Sequence, residues 1–342
     1  MTRNYRVDAL RLLAAFLVIL IHVSAKYWLT YPITDPHWNA VNFYDSLARP
    51  AVPLFLMISG MFLLRPEKKI DGKTLWQKYI RRVLILFVFW AAFYASFRDI
   101  LYPILSGQKI VFKNVLTTFF QGNYHLWYLV MLFGIYLILP FLKKIAEDKK
   151  LLEYFLLLTL VITVILPMIK SPYIKEFVGN MYFSFTLGFT GYFMLGYYLT
   201  RYPLKDWVRR LLYLGGIAGF LFTYFGTAMW SESLGYPADC YNPFLPNIVL
   251  LSTGIFVFFA KDTGKHSEWC AKWIPKLAST TLGIYLIHPF FLAVFDVLHL
   301  MPASVNLSFF ITFPLFAGIL YTISMISIFF LKKIPLIGKY LL

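Results

Sequence analysis

Charge is scarce in this chain. Only 14% of its 342 residues are charged, against 60% hydrophobic and 20% aromatic residues, whereas about a quarter of the residues of a soluble domain are charged. Acidic residues are scarcer still, 16 against 32 basic ones. Two cysteines, Cys240 and Cys270, are too few for a disulfide framework. His-Glu-x-x-His and paired-cysteine patterns are missing and the six histidines are scattered, so no metal site is expected. The glycine-rich phosphate loops Gly-x-Gly-x-x-Gly and Gly-x-x-x-x-Gly-Lys are missing too, which argues against a nucleotide-hydrolysing pump. With no low-complexity linker, soluble end domain or internal repeat, a single domain over 1–342 is expected.

What the chain does have is long apolar runs. Crossing the hydrocarbon core takes about 20 apolar residues as helix, and ten runs qualify: 8–29, 43–64, 83–105, 124–142, 151–169, 183–200, 211–230, 244–260, 277–297 and 307–331. The expected fold is all-α, a polytopic membrane bundle of about ten transmembrane helices. With the N-terminus inside, 24 of the 32 basic residues, Arg3 and Arg6 first among them, fall in inner segments, and only Lys109, Lys113, Lys170 and Lys175 in outer ones. Such a split follows the positive-inside bias and predicts that both termini are cytoplasmic. It also accounts for the net charge of +16 without nucleic acid, because basic loops face an anionic leaflet. The first run lacks a small-residue cleavage site and is expected to stay as a helix. Cys240 and Cys270 fall on opposite sides in this topology and should not pair. The sequon at Asn306 sits at a membrane edge and is assigned no function.

Within the first run, Arg11 and His22 are ionisable groups in hydrocarbon. Ten residues separate them, and eleven steps at 3.6 residues per turn return to within about 20°, so they share a helix face roughly 16 Å apart. Asp8, Ala15 and Val18 lie on the same stripe. Ionisable residues in spanning helices are costly and usually face the bundle interior or a substrate path. Arg11 alone admits a blander account, snorkelling to the headgroups and pairing with Asp8. His22 lies too deep to snorkel, although a neutral imidazole can also pack quietly through one hydrogen bond.

Four further segments carry polar chemistry. Pro53 to Gly60, with Ser59 and preceded by Asp45 and Arg49, suggests either a bend and close helix contact or a site role for Ser59. Arg81 and Arg82 enter the third span, where arginines either follow the positive-inside bias or grip phosphate. His125 stands beside Trp127 and Tyr128, an interfacial aromatic belt or a sugar-facing general base. Tyr285 and His288, three apart before Pro289, are helix-face neighbours, with His288 a cap for a freed carbonyl or a catalytic group.

Together, Asp8-x-x-Arg11 with ten residues to His22, Phe55 to Gly60, Arg81-Arg82, His125-Leu-Trp127-Tyr-Leu129 and Leu282 to Pro289 resemble the acyltransferase 3 family of integral membrane acyltransferases, over nearly the whole chain. The short stand-alone members that O-acetylate surface polysaccharides are the most similar in length. The resemblance implies a multi-pass protein of the bacterial cytoplasmic membrane. It implies an acyl-CoA co-substrate, acetyl-CoA being the expected one, no permanently bound cofactor, and a glycan or lipid-linked saccharide acceptor. In that reading His22, Arg11 and His125 are catalytic. Arg81, Arg82 and Ser59 bind the donor, while Asp8, Trp127, Tyr285 and His288 bind the acceptor or support the site. His22 as general base and His22 as acyl carrier stand equal. Two other classes fit the intramembrane charges: a transporter or flippase of lipid-linked glycan, and a non-catalytic sensor or assembly partner. The Gly215 and Gly219 spacing permits close helix contact, within one bundle or between subunits.

Overall fold

A computed structural model describes residues 4–341 except 106, 170, 182–183, 262–266 and 306. Arg3, Lys170 and the sequon asparagine Asn306 therefore lie outside the described residues. The described backbone is helical, with turns and no strand. The main helices are α1 (Tyr5–Ala25), α2 (Pro36–Ala48), α3 (Ala51–Leu63), α4 (Arg81–Ser96), α5 (Phe112–Gln121), α6 (Trp127–Leu137) and α7 (Leu139–Glu147). They continue with α8 (Lys149–Thr159), α9 (Ser184–Arg201), α10 (Asp206–Leu234), α11 (Pro246–Ala260), α12 (Glu268–Ala278), α13 (Thr281–Val297) and α14 (Phe309–Leu331).

Each of the ten predicted runs is helical, but they differ as spans. Seven helical stretches among the described residues are long and apolar enough to cross a membrane, or eight if the bent pair α6 and α7 is one span. That pair bends by 59°, next to Pro140, whose missing N–H leaves the Tyr136 carbonyl without its helical donor. The run 183–200 corresponds to α9, which kinks at Gly188 (ψ −108°), and 244–260 to α11, only 15 residues long. The run starting at 43 begins earlier, at Pro36, because polar His37, Asn39, Asn42 and Asp45 hide its first turns from a hydropathy reading.

Local signals explain the ends. Asn4 caps α1 by accepting from the Arg6 and Val7 amides, and Asp8 places negative charge in the first turn. Asp35 caps α2 by accepting from the His37 amide, with Pro36 at the first helical position. The backbone N–H and, after it, the ring Nδ1–H of His37 donate to the Asp35 carboxylate and hold it below its ordinary range. Between α2 and α3 the chain breaks at Arg49-Pro50, one turn before the bend expected at Pro53, since Pro50 has no donor for the Ser46 carbonyl. Gly235, at φ 74°, ends α10 in the left-handed conformation that favours glycine.

Packing divides the chain into two compact units, one of Met1–Pro66 with Lys144–Met325 and one of Glu67–Lys143 with Ile326–Leu342. In the first, α1 sits inside, burying Val7, Leu10, Ala14, Leu17 and Ile19. Helix α3 lies directly on α9: a Cβ on Gly60 would fall 1.7 Å from the Phe193 carbonyl oxygen, and one on Gly196 2.1 Å from that of Met57. Helix α10 approaches α11 as closely, with the Gly219 position 2.4 Å from the Asn247 carbonyl oxygen. The contact permitted by the Gly215 and Gly219 spacing is thus made inside the bundle. Asn247 seals it by donating to the Thr223 hydroxyl (2.8 Å) and the carbonyl of buried Cys240 (2.9 Å).

In the second unit, π-helical turns at Leu75–Ile80 and Phe97–Leu101 flank α4, which packs against α5 and α6. Lys332 lies near Arg82 in this unit, and burial, reinforced by that like charge, lowers its ammonium pKa.

Candidate active site

Helix α1 carries His22 near its last turn, and α13 carries His288 near its middle. Their rings meet in the first unit. Nδ1 of His22 lies 2.7 Å from Nε2 of His288. The rings are within 6° of parallel with centroids 5.0 Å apart, a separation equal to the N–N distance plus two ring radii, so they meet edge to edge in one plane. His288 is fully buried, and its Nδ1 lies 3.1 Å from the Ile284 carbonyl oxygen one turn back. A carbonyl only accepts, so His288 Nδ1 carries the proton and His288 Nε2 is the acceptor. His22 Nδ1–H must then donate, which leaves the lone pair of a neutral His22 on Nε2. This half-buried imidazole is oriented as a base or nucleophile, with its partner fixing the tautomer.

Pro289 takes part in that arrangement. Having no N–H, it leaves the Tyr285 carbonyl without a helical donor and loosens the turn that His288 ties together. Tyr285 is buried beside His288, ring centroids 6.3 Å apart.

A second polar cluster, on α2, sits one step beyond. Ser24, two residues after His22, donates to Asp45 Oδ1 at 2.8 Å, and Arg49 donates to Asp45 Oδ2 at 3.0 Å. The Arg49 guanidinium lies 4.0 Å over the Tyr241 ring, while the Tyr241 hydroxyl donates to Asn42 Oδ1 at 2.6 Å. Burial, with the Asp45 carboxylate adding to it, pushes the Tyr241 phenol well above its ordinary 10.0, so it stays a neutral donor. Asp45, Arg49, Ser24 and Tyr241 were not among the sequence candidates. The signal was present nonetheless, since Asp45 and Arg49 are ionisable residues in an apolar span, the same reason that singled out Arg11 and His22.

Toward the Tyr5 end of the first unit, Arg11 donates to buried Asp8 at 2.9 Å and its guanidinium stands 4.8 Å from the Phe62 ring. Arg65 stands 4.9 Å from the same ring, so two cations flank one aromatic side chain. Ser59 donates to the Phe55 carbonyl of its own helix at 2.8 Å. Arg81 and Arg82, exposed at the start of α4, belong to the second unit. So do His125 and Trp127. His125 is buried, with the Tyr94 and Tyr124 rings at 5.1 and 5.5 Å, while Trp127 is exposed. The tertiary structure therefore joins His22 to His288 and Tyr285, and Arg11 to Asp8. No cluster of three or more metal-ligating side chains exists among the described residues.

Several apolar helices with ionisable side chains turned inward define a multi-pass membrane protein. Over residues 4–332 the sequence matches the model of the acyltransferase 3 family, described as an acyltransferase domain, and the chain belongs to that family: it is a membrane acyltransferase. Among curated proteins and among solved structures, nothing matches it.

Proposed function

We propose that the chain is a membrane O-acyltransferase of the bacterial cytoplasmic membrane. It moves an acyl group, acetyl being the expected one, from acyl-CoA to a hydroxyl of a glycan or lipid-linked saccharide. The observation that carries this reading is the His22–His288 pair, which fixes the orientation of the His22 imidazole inside an apolar bundle. His22 Nε2 takes the proton of the acceptor hydroxyl as its oxygen forms a bond to the thioester carbonyl carbon. The carbonyl electron pair moves to oxygen. On collapse it reforms the carbonyl, the C–S bond breaks, and the CoA thiolate leaves and recovers the proton from His22. Throughout, His288 Nε2 accepts from His22 Nδ1–H and stabilises the imidazolium, as the third member of a catalytic triad does.

Arg11, beside Phe62 with Arg65, grips the phosphates of the donor, for which a planar guanidinium is suited. Ser59, on α3 of the same unit, is a further donor residue.

The test uses the purified full-length protein, radiolabelled acetyl-CoA and candidate glycans. Covalent transfer by the parent and none by H22A, at equal protein level and membrane insertion, is the expected result. Transfer retained by H22A would refute the role of His22, and uptake of a lipid-linked glycan without transfer would replace the enzyme by a transporter. Mass spectrometry of surface glycans from cells with and without the protein then identifies the acceptor.

A further inference from the structure

We propose that Arg49 is a catalytic residue of that transfer: its Nε–H receives the oxyanion that forms at the thioester carbonyl when the acceptor hydroxyl attacks beside His22. The inference rests on the acyl-transfer reading and adds a residue that neither the sequence pattern nor the family match assigns.

Three observations converge on it. First, the Arg49 Nε–H is buried and has no hydrogen-bond acceptor among the described residues. A buried donor without a partner is costly and uncommon, and it calls for a functional explanation. Second, the rest of the guanidinium is held still, by Asp45 Oδ2 at 3.0 Å on one edge and the Tyr241 ring at 4.0 Å on one face. A donor fixed in advance needs no reorganisation when charge develops, which is what makes such groups effective. Third, the position is right. Helix α2 runs opposite to α1, since Ser24 meets Asp45 and, in the turns just beyond the end of α1, the Trp28 ring meets that of Trp38. The one-turn step from Asp45 to Arg49, about 6 Å, thus runs back along α1 from Ser24 past the level of His22 to that of Leu20. Arg49 keeps 24% of its side chain accessible, whereas Asp45 keeps 1%, so the Arg49 side chain reaches the accessible margin of the cluster while its Nε–H lies just beneath it.

The competing account is that Arg49 only neutralises Asp45 and ties α2 to α1. The two accounts separate on a comparison of R49Q with D45N in the full-length protein. Both variants break the ion pair, but only R49Q removes the Nε–H. With a catalytic Arg49, R49Q loses about 100-fold in kcat with the acyl-CoA KM unchanged, and D45N loses clearly less. If R49Q loses no more than D45N, Arg49 is structural and the proposal is overturned. Should R49Q fail to fold, R49K replaces it in the same comparison, since lysine keeps the charge facing Asp45 but offers no Nε–H at that place. A parent protein that transfers no acyl group overturns the acyl-transfer reading, and an active H22A overturns the role of His22 within it. An inactive H22A together with R49Q no worse than D45N overturns the Arg49 assignment alone.

Discussion

His22 and His288, 266 residues apart in sequence, share one hydrogen bond of 2.7 Å, and the direction of that bond is set by the Ile284 carbonyl behind His288. His288 therefore acts through His22. Replacing it with alanine should lower kcat by at least about tenfold and at most about 10⁴-fold, the loss seen when a catalytic histidine is left in the wrong tautomer. H288Q, whose amide oxygen can accept from His22 Nδ1–H, should recover part of that loss. Equal turnover by H288A and the parent would remove His288 from the mechanism.

A general base and an acyl carrier differ in what remains on the protein. If His22 Nε2 only moves a proton, acid quenching during turnover with radiolabelled acetyl-CoA should leave no label on the polypeptide. Label that appears in the parent and disappears in H22A would establish an acyl-imidazole instead.

Arg11 and Arg65 flank Phe62 at 4.8 and 4.9 Å. If they hold the donor, R11A and R65A should each raise the acyl-CoA KM about tenfold, the equivalent of roughly 1.4 kcal/mol of lost charge-assisted binding. Their effect on kcat should be smaller than that of H22A. A KM unchanged in both variants would take the donor's phosphates elsewhere.

The bundle should be intolerant at its helix crossings and tolerant elsewhere. G60A places a methyl 1.7 Å from the Phe193 carbonyl oxygen, backbone that cannot turn aside, and should cost at least about 3 kcal/mol by overpacking. G318A, on α14 with nothing within 4 Å of the added carbon, should be neutral or stabilise by roughly 0.5–1 kcal/mol through reduced backbone entropy. Fluorescence-detected size exclusion after heating ranks the two, and a folded, heat-stable G60A would contradict the close α3–α9 crossing.

Much of the fold was legible because the bilayer imposes it. Hydrocarbon about 30 Å thick requires apolar runs near 20 residues, and backbone groups in it must be satisfied within a helix; all ten runs read from the sequence are helical here. Helical periodicity also placed Arg11 and His22 on one face, because that depends on nothing but the turn of a single helix. Periodicity could not pair residues on different helices. The Asp45 and Arg49 pair was visible as charge in an apolar span, yet its nearness to His22 depends on α2 folding back against α1. The sequence placed His125 beside an aromatic pair at the water boundary but not its burial, since the Tyr94 ring that covers it comes from α4.

The sequence by itself determined the solvent, the helices and the family, for these follow from composition, local period and motif. Tertiary structure alone decided which nitrogen of His22 meets His288, because that rests on a carbonyl at Ile284 and a ring at His288 brought across the bundle from α13. It also decided that the small residues of α10 serve a contact with α11 rather than with another molecule, because only packed coordinates bring the Asn247 backbone onto Gly219.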